Sequence, residues 1–234
     1  MTAAPILDSR QSWTRLALSL LIATVGNAGM WSYVVIMPAV AAEFGLARGA
    51  AALPYTMTMV GFGAGNLLIG RFVDRNGIAR ALAVAAVLIA AGFTTAAAAP
   101  HPAVLAGAQL AIGLGTAASF GPLIADVSLW FHRRRGIAVA IAASGNYIAG
   151  AVWPLVLAGV LSGAGWRAVC LALAVIVLVV MLPLSRALRR RVQDEALAVS
   201  ERLSQGAARA TALTPGQLQA ALAVAGIACC VAMA

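Results

Sequence analysis

Long apolar runs alternate with short bursts of charge along this chain. The first uncharged run spans 16–42, between Arg15 and Glu43, and the second lies between Arg48 and Arg71, centred on Met59. A third covers 81–99 and stops at Pro100-His101-Pro102, where two prolines break a helix. A fourth covers 103–130. A fifth follows Arg135 and reaches Leu161, Ser162-Gly163-Ala164-Gly165 reads as a tight turn, and a sixth runs from Trp166 to Leu184. After a polar stretch a seventh begins at Thr214-Pro215, with Thr214 as N-cap and Pro215 at the first helical position, and stays apolar to Ala234. About 20 apolar residues cross the hydrocarbon of a bilayer, so each run is predicted to be a membrane-spanning helix. The expected fold is an all-α polytopic membrane protein: an N-terminal segment (1–14), a six-span bundle (15–185), a linker (186–214) and most of a seventh helix (215–234).

Composition sharpens that picture. Of 234 residues, 62% are hydrophobic and only 10% charged, too few to coat a water-facing surface. The net charge of +9 does not imply nucleic acid, because the arginines form no continuous face. They fall between the apolar runs. With an inside N-terminus, fourteen of the sixteen basic residues share one side, leaving Arg48 and Arg167 on the other. This positive-inside asymmetry predicts a cytoplasmic N-terminus in a multi-pass protein of a bacterial-type inner (cell) membrane. His101, His132, Cys170, Cys229 and Cys230 show no metal-site or disulfide spacing, and no cofactor is expected.

Within the spans, small residues recur at helix-packing spacing: Gly61 with Gly65, and Gly145 with Ala149. No acid or arginine lies mid-span; Asp126, nearest to it, lies in the last turns of the fourth run, ahead of an arginine cluster. Uncharged polar groups share faces: Thr24, Asn27 and Trp31 in the first span, Gln109 and Thr116 in the fourth, and Asn146, Gly150 and Trp153 in the fifth. Asn27, Trp31, Gln109, Asn146 and Tyr147 are the candidate lining of a solute cavity. Hydrogen bonding between helices is the competing role for the amides.

Between the second and third runs lies Gly70-Arg71-Phe72-Val73-Asp74-Arg75-Asn76-Gly77-Ile78-Ala79-Arg80. Gly70, Asp74, Arg75, Gly77 and Arg80 resemble the signature of the major facilitator superfamily, with Ala79 where another base is usual. The match falls at the expected hairpin, and the resemblance covers nearly the whole chain as the N-terminal half of such a transporter. It implies a two-bundle fold, secondary active transport by alternating access, and a charge latch joining these residues to Asp126. Gln109 stands where the family's fourth-span motif has arginine, so the resemblance leaves proton coupling open. The stretch from Trp130 to Arg167 is similar to the monocarboxylate and oxalate/formate branches, which implies a small organic anion as solute.

The expected partners are therefore a small-molecule solute and the lipid bilayer, with no nucleic acid. A missing C-terminal half or a second copy would complete the pathway, because the apolar seventh run ends the sequence as a truncated helix. A membrane scaffold or half-transporter acting by oligomerisation is the alternative. An intramembrane protease is disfavoured: neither His101 nor His132 lies within a span, and no serine has a suitable context.

Overall fold

A computed structural model describes residues 7–189 and Gln217. The chain divides into two compact units, Met1–Arg191 and Val192–Ala234. The expected linker and seventh helix lie outside the described residues, apart from Gln217, which is helical and exposed.

The first unit is a bundle of α1 (Arg10–Gly26), α2 (Ala28–Phe44), α3 (Arg48–Asn76), α4 (Ile78–Ala97), α5 (Pro102–Thr116), a 3-10 turn (Ala117–Ser119), α6 (Gly121–Leu129) and α7 (Arg135–Ala187). The described residues contain no strand. Among the described residues, four stretches are long and apolar enough to cross a bilayer: Arg10–Phe44, Ile78–Ala97, Pro102–Leu129 and Arg135–Ala187. The sequence reading put six spans in the same region. The difference has two sources. α3 has 29 residues but falls short in apolarity, and α7 joins the fifth and sixth runs in one stretch of 53 residues. At 1.5 Å per residue α7 would be about 80 Å long if straight, enough for two crossings. It is not straight, because Gly165 adopts φ 79° and ψ 173°. This left-handed φ is open to glycine and costly for other residues, so a single glycine does the work expected of a four-residue turn.

Two runs read as continuous are interrupted. Asn27 separates α1 from α2, its Nδ2 donating to the Ala23 carbonyl at 2.7 Å in competition with the helix ladder. Gly121-Pro122 splits the fourth run, since Pro122 has no N–H to continue α5; the 3-10 turn and Phe120 (φ −123°, ψ −90°) bridge the gap.

The interior is apolar and tightly packed. Tyr33, Phe93, Ile89, Leu105 and Leu173 have no exposed surface. The outside is apolar too: Leu155, Leu67 and Val179 are 80%, 68% and 66% exposed. Apolar residues on both sides suit a bundle whose solvent is lipid. Helices then meet through small residues rather than by burying oily ones. A Cβ on Gly61 would fall on the Leu110 carbonyl, and one on Gly113 on the Thr58 carbonyl, so α3 and α5 touch backbone to backbone. On its other flank α5 meets α4, where a Cβ on Gly115 would lie 2.6 Å from Ile89 Cγ1 and 3.0 Å from the Ala85 carbonyl.

Candidate functional site

The polar faces of the first and fifth runs meet. Trp31 Nε1 donates to Asn146 Oδ1 at 3.1 Å, and the Trp31 ring lies flush against Gly150, where a Cβ would come within 3.0 Å of it. Trp153 Nε1 donates to the Thr24 carbonyl at 2.8 Å. Both indoles thus find acceptors across the helix pair, as partly buried tryptophans require. Trp31 and Asn146 keep part of their surface exposed, and Tyr147 beside them is 68% exposed. Together they form a polar and aromatic patch on the outer surface of the bundle.

The other two candidate cavity residues are elsewhere. Asn27 and Gln109 are completely buried. Gln109 meets Thr58 of α3 rather than Thr116, with 3.0 Å between Gln109 Oε1 and Thr58 Oγ1. The Thr58 hydroxyl also lies 3.1 Å from the Pro54 carbonyl, and it has one proton. Once that proton goes to Pro54, a half-turn of the amide lets Gln109 Nε2, otherwise unpartnered, donate to Thr58 instead. Thr116 bonds the Ile112 carbonyl of its own helix. Gln109 and Thr58 thus tie α5 to α3 inside the bundle, whereas Asn27 and Thr116 bond only carbonyls four residues earlier in the chain.

The signature residues sit at the arginine-rich end. Contrary to the expectation of a charged turn, Gly70, Asp74 and Arg75 belong to the last turns of α3, and Arg80 to the first turn of α4. Gly77 alone makes the turn, at φ 84°, and its N–H returns to the Val73 carbonyl at 2.7 Å. Asp74, Arg75 and Arg80 are exposed, and among the described residues they form no ion pair. Asp126 bonds a different base. Arg15 of α1 grips it through Nε to Oδ2 at 2.9 Å and Nη2 to Oδ1 at 3.0 Å. The pair is largely buried, with side-chain exposures of 6% and 14%, and the guanidinium lies 4.5 Å from the Trp130 ring centre. Bidentate geometry and an aromatic face are what a desolvated arginine needs.

Two further clusters escaped the sequence reading. At the arginine-rich end, the Asp8 carboxylate accepts the backbone N–H groups of His132, Arg133 and Arg134 at 3.1, 3.0 and 3.4 Å. Burial pushes its pKa up, but these three donors and the His132 charge outweigh that and hold it below the ordinary aspartate value. At the opposite end, Glu43 accepts from Trp166 Nε1 at 2.6 Å and from Arg167 Nη1 at 2.5 and 2.7 Å, while Arg167 Nη2 donates to the Ala99 carbonyl at 3.2 Å. The available signal was the cost of an acid or arginine at the end of an apolar run, which demands a partner.

Comparison with known proteins places the fold. The family model described as Major Facilitator Superfamily matches residues 18–234. The chain belongs to that superfamily. Similar proteins include the MFS-type transporter pytF of Aspergillus terreus, 43% identical over 49 residues, which are 21% of this chain and 17% of the relative. The MFS-type transporter pynF of Aspergillus niger is 30% identical over 105 residues, covering 44% of this chain and 24% of that protein. The MFS transporter asaE of Aspergillus flavus is 38% identical over 55 residues, 23% of this chain and 12% of that protein. The aligned stretches thus span less than a quarter of each relative. The superfamily and these names are those of transporters, not enzymes, and the apolar helices make this superfamily member a multi-pass membrane protein.

Proposed function

We propose that this superfamily member forms one bundle of a secondary transporter that moves a small organic solute by alternating access. The observation that carries the reading is the patch of Trp31, Asn146 and Tyr147, the only candidate cavity residues with surface outside the bundle. A solute held between two bundles touches residues of that kind, whereas the buried Gln109 braces α5 against α3 and the buried Asn27 bonds the end of α1. A second bundle, supplied by further sequence or by a second copy, completes the pathway. The arginine-rich end faces the cytoplasm of a cell membrane, in keeping with the charge asymmetry. There Asp74, Arg75 and Arg80, carried on the hairpin that holds Gly70 and Gly77, present charges that close one access route. The finer solute class, a monocarboxylate or related organic anion, is supported by the Trp130–Arg167 stretch alone.

The test is uptake of radiolabelled formate, oxalate and lactate into vesicles holding the chain together with its second bundle. Alanine at Asn146 or Tyr147 is expected to raise the KM by about tenfold, the effect of losing a hydrogen bond of about 1.4 kcal/mol. Asp74→Asn and Arg75→Ala are expected to lower turnover with KM nearly unchanged. Normal KM in both alanine variants would refute the patch, and lost affinity with normal turnover in Asp74→Asn would refute the closing role.

A further inference from the structure

The start of the chain grips the segment between α6 and α7 in two places. Asp8, at φ 57°, donates its N–H to the Trp130 carbonyl at 3.2 Å, while its carboxylate caps His132, Arg133 and Arg134. Arg15 holds Asp126 and covers Trp130. Between them, Trp13 packs edge-on against Phe131, ring centres 5.2 Å apart. All these contacts land on one short piece, 126–134.

That piece follows the break in the fourth run, and α6 is only 9 residues long. The first run is interrupted at the same depth. A Cβ on Gly26 would fall on Ser119 of the 3-10 turn, and Asn27, the next residue, separates α1 from α2. α1 and α6 are therefore neighbours that share a broken level at one end and a charged fastening at the other. Ser119 Oγ, at the broken level, is fully buried and without a hydrogen-bond partner, so helix–helix contact there is not reinforced by a polar bond.

We propose that the N-terminal arm is a strap that positions α6: Asp8 and Arg15 hold the 126–134 piece in place, and their release lets α6 pivot about the Ser119–Phe120 break. Arg15 is then a positioning residue acting through Asp126, and it touches no solute. The place of this movement in a transport cycle rests on the function proposed above; the movement itself does not.

The test needs no solute. Ser119→Cys is introduced into the full chain with Cys170, Cys229 and Cys230 replaced by alanine, and the protein is set in lipid nanodiscs, open on both faces. Labelling with a charged, water-soluble maleimide reports opening at the broken level. Asp8→Ala and Arg15→Gln are each expected to speed labelling about fivefold. The charge exchange Arg15→Asp with Asp126→Arg is expected to return the rate to within about twofold of the parent, and Gly63→Ala, which meets open space, to leave it there. A bundle merely loosened by mutation would not be rescued by the exchange. Unchanged labelling in Arg15→Gln, or an exchange variant as fast as Arg15→Gln alone, would overturn the strap. If Arg15→Gln does not accumulate, Asp8→Ala, altered at an exposed hydrogen-bonding site, decides in the same way. Flat labelling beside intact uptake removes the strap and leaves the transport reading; the converse leaves the strap.

Discussion

Trp31 and Asn146, far apart in sequence, are joined by a 3.1 Å hydrogen bond that fastens α2 to the first half of α7. The bond is partly buried, so its net worth is about 0.5–1.5 kcal/mol. Asn146→Ala and Trp31→Phe should each lower stability by that amount, since phenylalanine still covers Gly150. Combined, they should cost little more than either alone, because both remove the same bond. Thermal unfolding of the four proteins in one detergent checks this; full additivity would show that the two residues act separately.

Gly61 and Gly63 lie two positions apart in α3 with opposite surroundings. A Cβ on Gly61 would collide with the Leu110 carbonyl, whereas Gly63 faces open space. Gly61→Ala should force α3 from α5 and cost about 1–3 kcal/mol, the usual result of overpacking. Gly63→Ala should be neutral or stabilising by up to about 1 kcal/mol through helix propensity. Equal behaviour in a detergent melting assay would argue against backbone contact between the helices.

Glu43 serves two donors of unequal consequence. Its ion pair with Arg167 is well exposed, at 40% and 42%, so Arg167→Gln should cost no more than about 1 kcal/mol. Trp166 is nearly buried, and Glu43→Ala leaves its indole N–H without the 2.6 Å acceptor. That change should cost about 1–3 kcal/mol. Glu43→Gln, which retains an acceptor, should fall between them. A ranking with Arg167→Gln as the worst would make the ion pair the main fastening.

Asp8 should give the arm an acid-sensitive attachment. Its pKa is lowered in the folded chain from the ordinary value of 3.8. Its contribution is therefore complete above that value and fades as pH falls through the lowered one. Hydrogen exchange at the amides of His132, Arg133 and Arg134, corrected for intrinsic rates, should stay slow down to about pH 4 and quicken below it. Asp8→Asn should abolish that acid step. An acid step that persists in Asp8→Asn would assign it to another group.

Much of the bundle was legible from the chain alone, because two-proline stops and arginine bursts mark helix ends whatever the tertiary context. The α4–α5 boundary falls at Pro100-His101-Pro102, with His101 Nδ1 accepting from the Ala103 N–H at 3.2 Å. The pairing of the Thr24–Trp31 face with the Asn146–Trp153 face was also half-visible, since each showed as a polar stripe. What stayed hidden was long-range. Nothing local in Arg15 says that it reaches Asp126, and nothing in Gln109 says that it turns inward to Thr58. Helical breaks at Asn27 and Phe120 were missed because apolarity does not register a lost backbone bond. The extension of α3 through Asp74 was missed for the opposite reason, charged residues being read as loop when a helix end tolerates them.

α5 has no clearance on either flank. Gly113 bears directly on α3 and Gly115 on α4, only two residues apart. Turning α5 by one position would rotate it about 100° and swap these glycines for side chains that do not fit. Helices three to five must therefore travel as a single block, like plates riveted through a common spindle. Whatever bending the protein performs is left to segments outside that block.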